Sequence, residues 1–176
     1  LEHLSNVDFL LFGNEKILVP LLNKNPFVHD ACVVRHTDEV ISNYEKAGAA
    51  LRSGRNSSMR LAINAVSDGE AAGIVSAGNT GALMAMAKFV LKTLPGIDRP
   101  AIASYFPTER GQSIMLDLGA NVICDSDNLV QFAVMGEVFA RNVLGLAQPS
   151  VGLLNVGSEQ LKGHESVQLA FNALQN

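Results

Sequence analysis

The chain has 176 residues, of which 48% are hydrophobic and 17% charged, with no Trp. That is enough for one domain with a sizeable core and too little for two large ones. A net charge of −4 argues against a broad nucleic-acid-binding face, and no apolar run reaches membrane-spanning length.

In chain order, the apolar run at residues 7–12 closes on Gly13-Asn14 and reads as a strand and its exit. Residues 15–23 have helical spacing, with Pro26 past their end. Residues 28–34 read as the next strand, 37–44 as a loop and 46–55 as a short helix. Ser57 or Ser58 caps a helix over 59–66 that stops at Asp68-Gly69. Residues 71–75 then read as a buried strand. The turn Ser76-Ala77-Gly78-Asn79-Thr80-Gly81 follows, and an apolar helix over 82–94 is ended by Pro95-Gly96.

Pro100 and Pro107 bracket a strand with the sequence AIASYF, and residues 113–118 form another that can pair with it across a polar turn. Gly119-Ala120-Asn121 ends that strand. Asp125, Ser126 and Asp127 supply caps for a long helix over 128–144. Pro149 precedes a last strand at 151–156, and Gly157-Ser158-Glu159 leads into a final helix. There are no repeats, low-complexity tracts or linkers. Strands separated by helices predict an α/β fold, a mainly parallel sheet covered on both faces, in a single domain over 1–176. The chain starts almost inside a strand and stops inside a helix, which reads as a fragment.

In such sheets ligands gather beyond the carboxyl ends of the strands. Three such ends carry Gly and Asn: 76–81, 117–121 and 155–162. At the first, the leading N–H groups of the helix and its dipole can hold an anion, above all a phosphate. Gly78 and Gly81 permit close approach, while Ser76, Asn79 and Thr80 offer donors. A simple N-cap at Asn79 or Thr80 accounts for the same residues, and on spacing alone stands slightly ahead. Lys162 is either a phosphate partner or, more commonly at such a position, a solvated lysine. Asp117 and Asn121 can bind ligand or fasten their turn, with nothing in the spacing to decide.

Other chemistries fare worse. There is no Walker A pattern, GxGxxG, GxSxG, CxxC or HExxH. His3, His29, His36 and His164 are scattered, so no metal and no cofactor are expected. Cys124 stands beside Asp125, which raises a thiol pKa and favours a packed or turn cysteine over a nucleophile. Cys32 and Cys124 show no pairing signature, as in a reducing cytosol. The start LEHLSNVDFLLFG lacks the basic region of a signal peptide, so a cytoplasmic location is expected, with membrane contact through a surface element left open. Lys46, Arg52, Arg55 and Arg60 form a basic cluster that either docks an acidic protein or is a solvated helical face.

Taken together, SSM (57–59), VSAGNTGALMA (75–85), GIDRPA (96–101), LDLGAN (116–121), LVQFAVMG (129–136) and LLNVGSEQLKG (153–163) resemble the bacterial phosphate acyltransferase family of phospholipid synthesis, the PlsX type. The resemblance runs in order from about Val7 to the C-terminus. It implies a three-layer α/β/α sandwich similar to isocitrate dehydrogenases and phosphotransacetylases. It implies transfer of a long acyl group from acyl carrier protein to inorganic phosphate, with no cofactor, by a homodimer at the periphery of the inner membrane. Carried over residue by residue, Lys162 and Asn79 are the catalytic candidates. Ser76, Gly78, Thr80, Gly81, Asp117 and Asn121 are the phosphate- or substrate-binding candidates, and Arg52, Arg55 and Arg60 the weaker carrier-docking ones. The family's opening strand with its Gly-Gly-Asp turn and its C-terminal half are absent here, and a Pro usual near Gly48 or Ala49 is replaced. A coenzyme A acyltransferase on the same fold, and a non-catalytic anion-binding scaffold, are the rival readings.

Overall fold

The computed structural model describes residues 7–109, 111–157 and 162–175. The chain divides into two compact units, Leu1–Lys92 and Thr93–Asn176. Among the described residues both helices and strands occur, so the mixed α/β class holds.

In the first unit, β1 (Phe9–Gly13) and β2 (Cys32–His36) pair in parallel, from Phe9 opposite Cys32 to Gly13 opposite His36. The crossover consists of α1 (Glu15–Leu22) and the single turn α2 (Pro26–His29). Asn14 caps α1 by accepting from Lys16 N–H at 2.8 Å. Pro26 sits at the start of α2, where its missing N–H is harmless. This is why β2 begins at Cys32 and not at residue 28: the proline starts a helical turn ahead of it.

Three helices follow: α3 (Ala47–Ser53), α4 (Ser58–Ser67) and α5 (Thr80–Leu91). Ser57, fully buried, caps α4 through Arg60 N–H at 3.3 Å while its hydroxyl donates to the Gly54 carbonyl at 2.7 Å. Apolar residues spaced three and four apart turn inward and build one core from Ile41, Ala50, Met59, Ile63, Ala82 and Met86. Gly54 is buried at its edge. A Cβ there would lie 2.9 Å from the Ala50 carbonyl and overlap Ile41.

In the second unit, β3 (Ala103–Thr108) and β4 (Gly111–Leu116) form an antiparallel hairpin, as the sequence allowed. The long helix α6 (Ser126–Val143) packs against β4 and against α7 (Glu165–Leu174). Asp125 caps α6 through Asn128 N–H at 2.8 Å. Phe132, Ala133 and Ala140 are its buried apolar residues, and Phe139 meets Tyr105 of β3 with ring centroids 6.2 Å apart.

Three expectations need correction. Residues 71–75 and 151–156 enter no ladder, because among the described residues no neighbouring strand takes their main-chain bonds. Helix α5 ends at Leu91, three residues early, because Lys92 adopts a left-handed φ of 67°. The described ladders are one parallel and one antiparallel pair. Among the described residues no helix is long and apolar enough to cross a membrane.

Candidate functional site

Residues 76–81 lead into α5. Ser76 Oγ accepts from Gly78 N–H at 3.2 Å and closes the turn on itself. Asn79 is the N-cap: its Oδ1 accepts from Ala82 N–H at 3.0 Å. Its Nδ2 donates away from the helix, to the carbonyls of Glu45 at 2.8 Å, Ser42 at 3.0 Å and Asn43 at 3.4 Å. The side chain that spacing offers as a ligand donor is therefore engaged at both ends, clamping the 42–45 loop to the start of α5. Thr80 and Gly81, the first two helical residues, are exposed. Leading N–H groups of a helix have no intrahelical acceptor, and the dipole makes them electropositive. Gly78 is also exposed, with Met59 Cε only 3.0 Å from where a Cβ would be.

Asp117 and Asn121 are joined in the second unit. Asp117 holds a positive φ of 63°, unusual for a residue with a side chain. The loop repays this strain through its carboxylate. Oδ1 accepts from Asn121 N–H at 3.1 Å and Asn121 Nδ2 at 2.9 Å, and Oδ2 accepts from the Cys124 thiol at 3.2 Å. Asn121 Nδ2 also reaches the Pro100 carbonyl at 3.3 Å. Burial, then the Asp117 hydrogen bond and charge, push the Cys124 thiol up to about 11. At neutral pH it is a proton donor to the carboxylate and not a nucleophile. What this cluster does chemically is fix a polar loop.

Lys162 is exposed, and its carbonyl accepts from Asn155 Nδ2 at 2.9 Å. Gly163 follows with a φ of +94°, and a Cβ there would lie 2.7 Å from Asn155 Cγ. Asn155 entered the sequence reading only as the Asn of the 155–162 strand end, with no role assigned to it. The signal that finds it is Gly163, a glycine in a polar turn that marks a close approach. Residues 158–161, including the expected turn at Ser158-Glu159, lie outside the described residues, as does His3.

Of the basic cluster, Arg52 and Arg55 are exposed. Arg60 is half-buried, donates Nε to Asn64 Oδ1 at 3.1 Å and lies 5.2 Å from the Phe89 ring centroid. Lys92 Nζ lies 5.0 Å from the same centroid. Two cations at one ring bind Arg60 into the helix packing. Among the described residues no three His, Cys, Asp or Glu side chains gather as metal ligands would.

Comparison with known proteins places these residues in a family. The chain is 66% identical over 173 residues to a phosphate acyltransferase of Rhodospirillum centenum, covering 98% of this chain and 49% of that protein. It is 59% identical over 175 residues to a phosphate acyltransferase of Paramagnetospirillum magneticum (99% and 50%). A third, from Granulibacter bethesdensis, is 58% identical over 166 residues (94% and 45%). The chain thus spans about half the length of these curated relatives. The pattern of the family described as fatty acid synthesis protein matches residues 1–176, and the chain belongs to that family.

Proposed function

We propose that this chain is part of an acyltransferase that moves a long-chain fatty acyl group from acyl carrier protein to inorganic phosphate, giving acyl phosphate for phospholipid synthesis. The observation that carries the reading is the 66% identity with a protein named phosphate acyltransferase. The capped, exposed N-terminus of α5 supports it. On this reading the two units belong to one α/β domain, a three-layer sandwich on a mainly parallel sheet. The enzyme is cytoplasmic, a homodimer and peripheral at the inner membrane.

The reaction asks for little acid–base help. A phosphate oxygen attacks the thioester carbonyl, a C–O bond forms, and the C–S bond breaks as the thiolate of a group with pKa about 8.5 departs. The obstacle is charge: an anion must approach a carbonyl that is itself becoming an oxyanion. The N–H groups of Thr80 and Gly81, with the Ser76 hydroxyl, would hold phosphate at the helix end. Asn79 acts as a positioning residue, since its amide fixes the turn and its cap fixes the helix. Lys162 would neutralise phosphate or the developing oxyanion. Asp117 and Asn121 would shape the loop beside the acyl group, and Arg52 and Arg55 would meet the acidic carrier, with Arg60 supporting them from Phe89.

The test is phosphate-dependent release of free carrier thiol from acyl-acyl carrier protein by this chain extended to its relatives' length. Lys162→Ala is expected to lower turnover at least about tenfold, a floor set below the roughly 100- to 1,000-fold loss typical when one transition-state donor is removed. Unchanged turnover would remove Lys162 from the chemistry. Release from acyl-coenzyme A in preference to the carrier would overturn the choice of substrate.

A further inference from the structure

Arg99 lies in the loop ahead of β3, within the motif GIDRPA, and the reaction proposed for this chain makes no use of it. Its backbone is held on both sides. Asp98 N–H donates to Gln131 Oε1 of α6 at 2.7 Å, and Gln131 Nε2 donates back to Asp98 Oδ2 at 2.8 Å. The Pro100 carbonyl accepts from Asn121 Nδ2 at 3.3 Å, and the Ile102 carbonyl from Leu118 N–H at 3.2 Å. The segment that carries Arg99 is thus laced to α6 and to the 117–121 loop, all within one compact unit.

Arg99 is exposed, and its Nη1 donates to the Ile123 carbonyl at 3.3 Å. That bond aims the guanidinium but cancels no charge. The neighbouring carboxylates are engaged elsewhere. Asp98 is tied to Gln131, Asp117 spends one oxygen on Asn121 and the other on the Cys124 thiol, and Asp125 caps α6. Among the described residues no carboxylate comes within ion-pair distance of Arg99. Its charge does reach Cys124: burial and Asp117 raise that thiol, and Arg99 pulls against them. A planar fork set by a backbone carbonyl offers its remaining N–H groups to a bidentate oxyanion, phosphate above all.

We propose that Arg99 is a further phosphate-binding residue, whose guanidinium, set by the Ile123 carbonyl beside the clasped 117–121 loop, grips the oxygens of a phosphate group. The inference rests on the phosphate chemistry proposed above and adds a residue to it. In that reaction the group has two sources: inorganic phosphate itself, or the phosphodiester in the carrier's prosthetic arm.

Equilibrium titrations without turnover, on the chain extended to its relatives' length, are the experiment. Arg99→Ala should weaken inorganic phosphate binding at least about tenfold. Arg99→Lys should recover only part of it, since an ammonium matches the charge and not the fork. The lysine chain also keeps the test valid should the alanine chain melt early. The same loss for the carrier with its arm, and not for the carrier without it, would make the phosphodiester the source and sustain the assignment. Unchanged affinity for both ligands would overturn it. So would an equal loss for the carrier with and without its arm, which makes Arg99 a docking charge. Arg99-dependent phosphate binding in an extended chain that releases no thiol removes acyl transfer alone, and turnover with binding indifferent to Arg99 removes this inference alone.

Discussion

Asp117 holds Asn121 twice, by its backbone N–H at 3.1 Å and its side-chain amide at 2.9 Å. Both bonds go to one carboxylate oxygen, and the other oxygen takes the Cys124 thiol. Hydrogen bonds to a charged acceptor contribute about 1.5–3 kcal/mol each. Asp117→Ala should therefore destabilise the second unit by about 2–4 kcal/mol in urea unfolding followed by α6 amide exchange. Asp117→Gly should fall short of that loss, because glycine adopts the positive φ without strain. Equal losses would mean that the backbone is not strained there.

The Cys124 thiol, raised to about 11, should be slow to alkylate. A thiol that titrates near 11 in place of the ordinary 9.0 carries about 100-fold less thiolate at neutral pH. Iodoacetamide at about pH 7.5 should modify Cys124 at least about tenfold more slowly in the folded chain than in guanidinium. The proton is held more tightly in the folded state, so its contribution to stability is complete below about pH 9 and disappears as pH rises towards 11. A Cys124→Ala chain should lack that part of the alkaline loss in a pH series of thermal melts.

Asn79 has two separable duties. Asn79→Ser keeps an oxygen for the Ala82 N–H but loses the donors to Ser42, Asn43 and Glu45. Asn79→Asp also keeps the cap, yet sets a carboxylate against those three carbonyls. Stability should fall in the order Asn, Ser, Asp, and Asn79→Ala should cost about 1 kcal/mol for the cap alone. Thermal melts of the four chains measure the order. An aspartate chain as stable as the parent would show that the loop clamp contributes nothing.

Gly54→Ala should cost about 1–3 kcal/mol by overpacking, since the new methyl overlaps Ile41 and comes 3.1 Å from Met86 Cε. Gly48→Ala is the control: the nearest atom to a Cβ there is the flexible Arg52 Nη1 at 3.7 Å, so no loss is expected in the same melts.

What can be read from the sequence divides by distance along the chain. Ser57, Asn79 and Asp125 announce the starts of α4, α5 and α6, because a cap bonds an N–H only three residues away. The apolar runs at 71–75 and 151–156 mislead, because a strand exists only beside another and no local pattern supplies the neighbour. Lys92 ends α5 with a positive φ that its residue type does not favour. At the site, the resemblance marks the Asn79 turn and Lys162. It gives no sign that Asn79 spends its donors on a loop 34 to 37 residues earlier, or that Asn155 bonds the lysine's carbonyl.

Gly163 occupies space that the Asn155 amide has already filled. A methyl group there must evict the amide, and with it goes the bond that anchors the lysine's main chain. The main-chain anchor of a cation thus depends on its neighbour, the residue with least to offer chemically. A change at 163 would leave the ammonium intact and still displace the backbone that carries it.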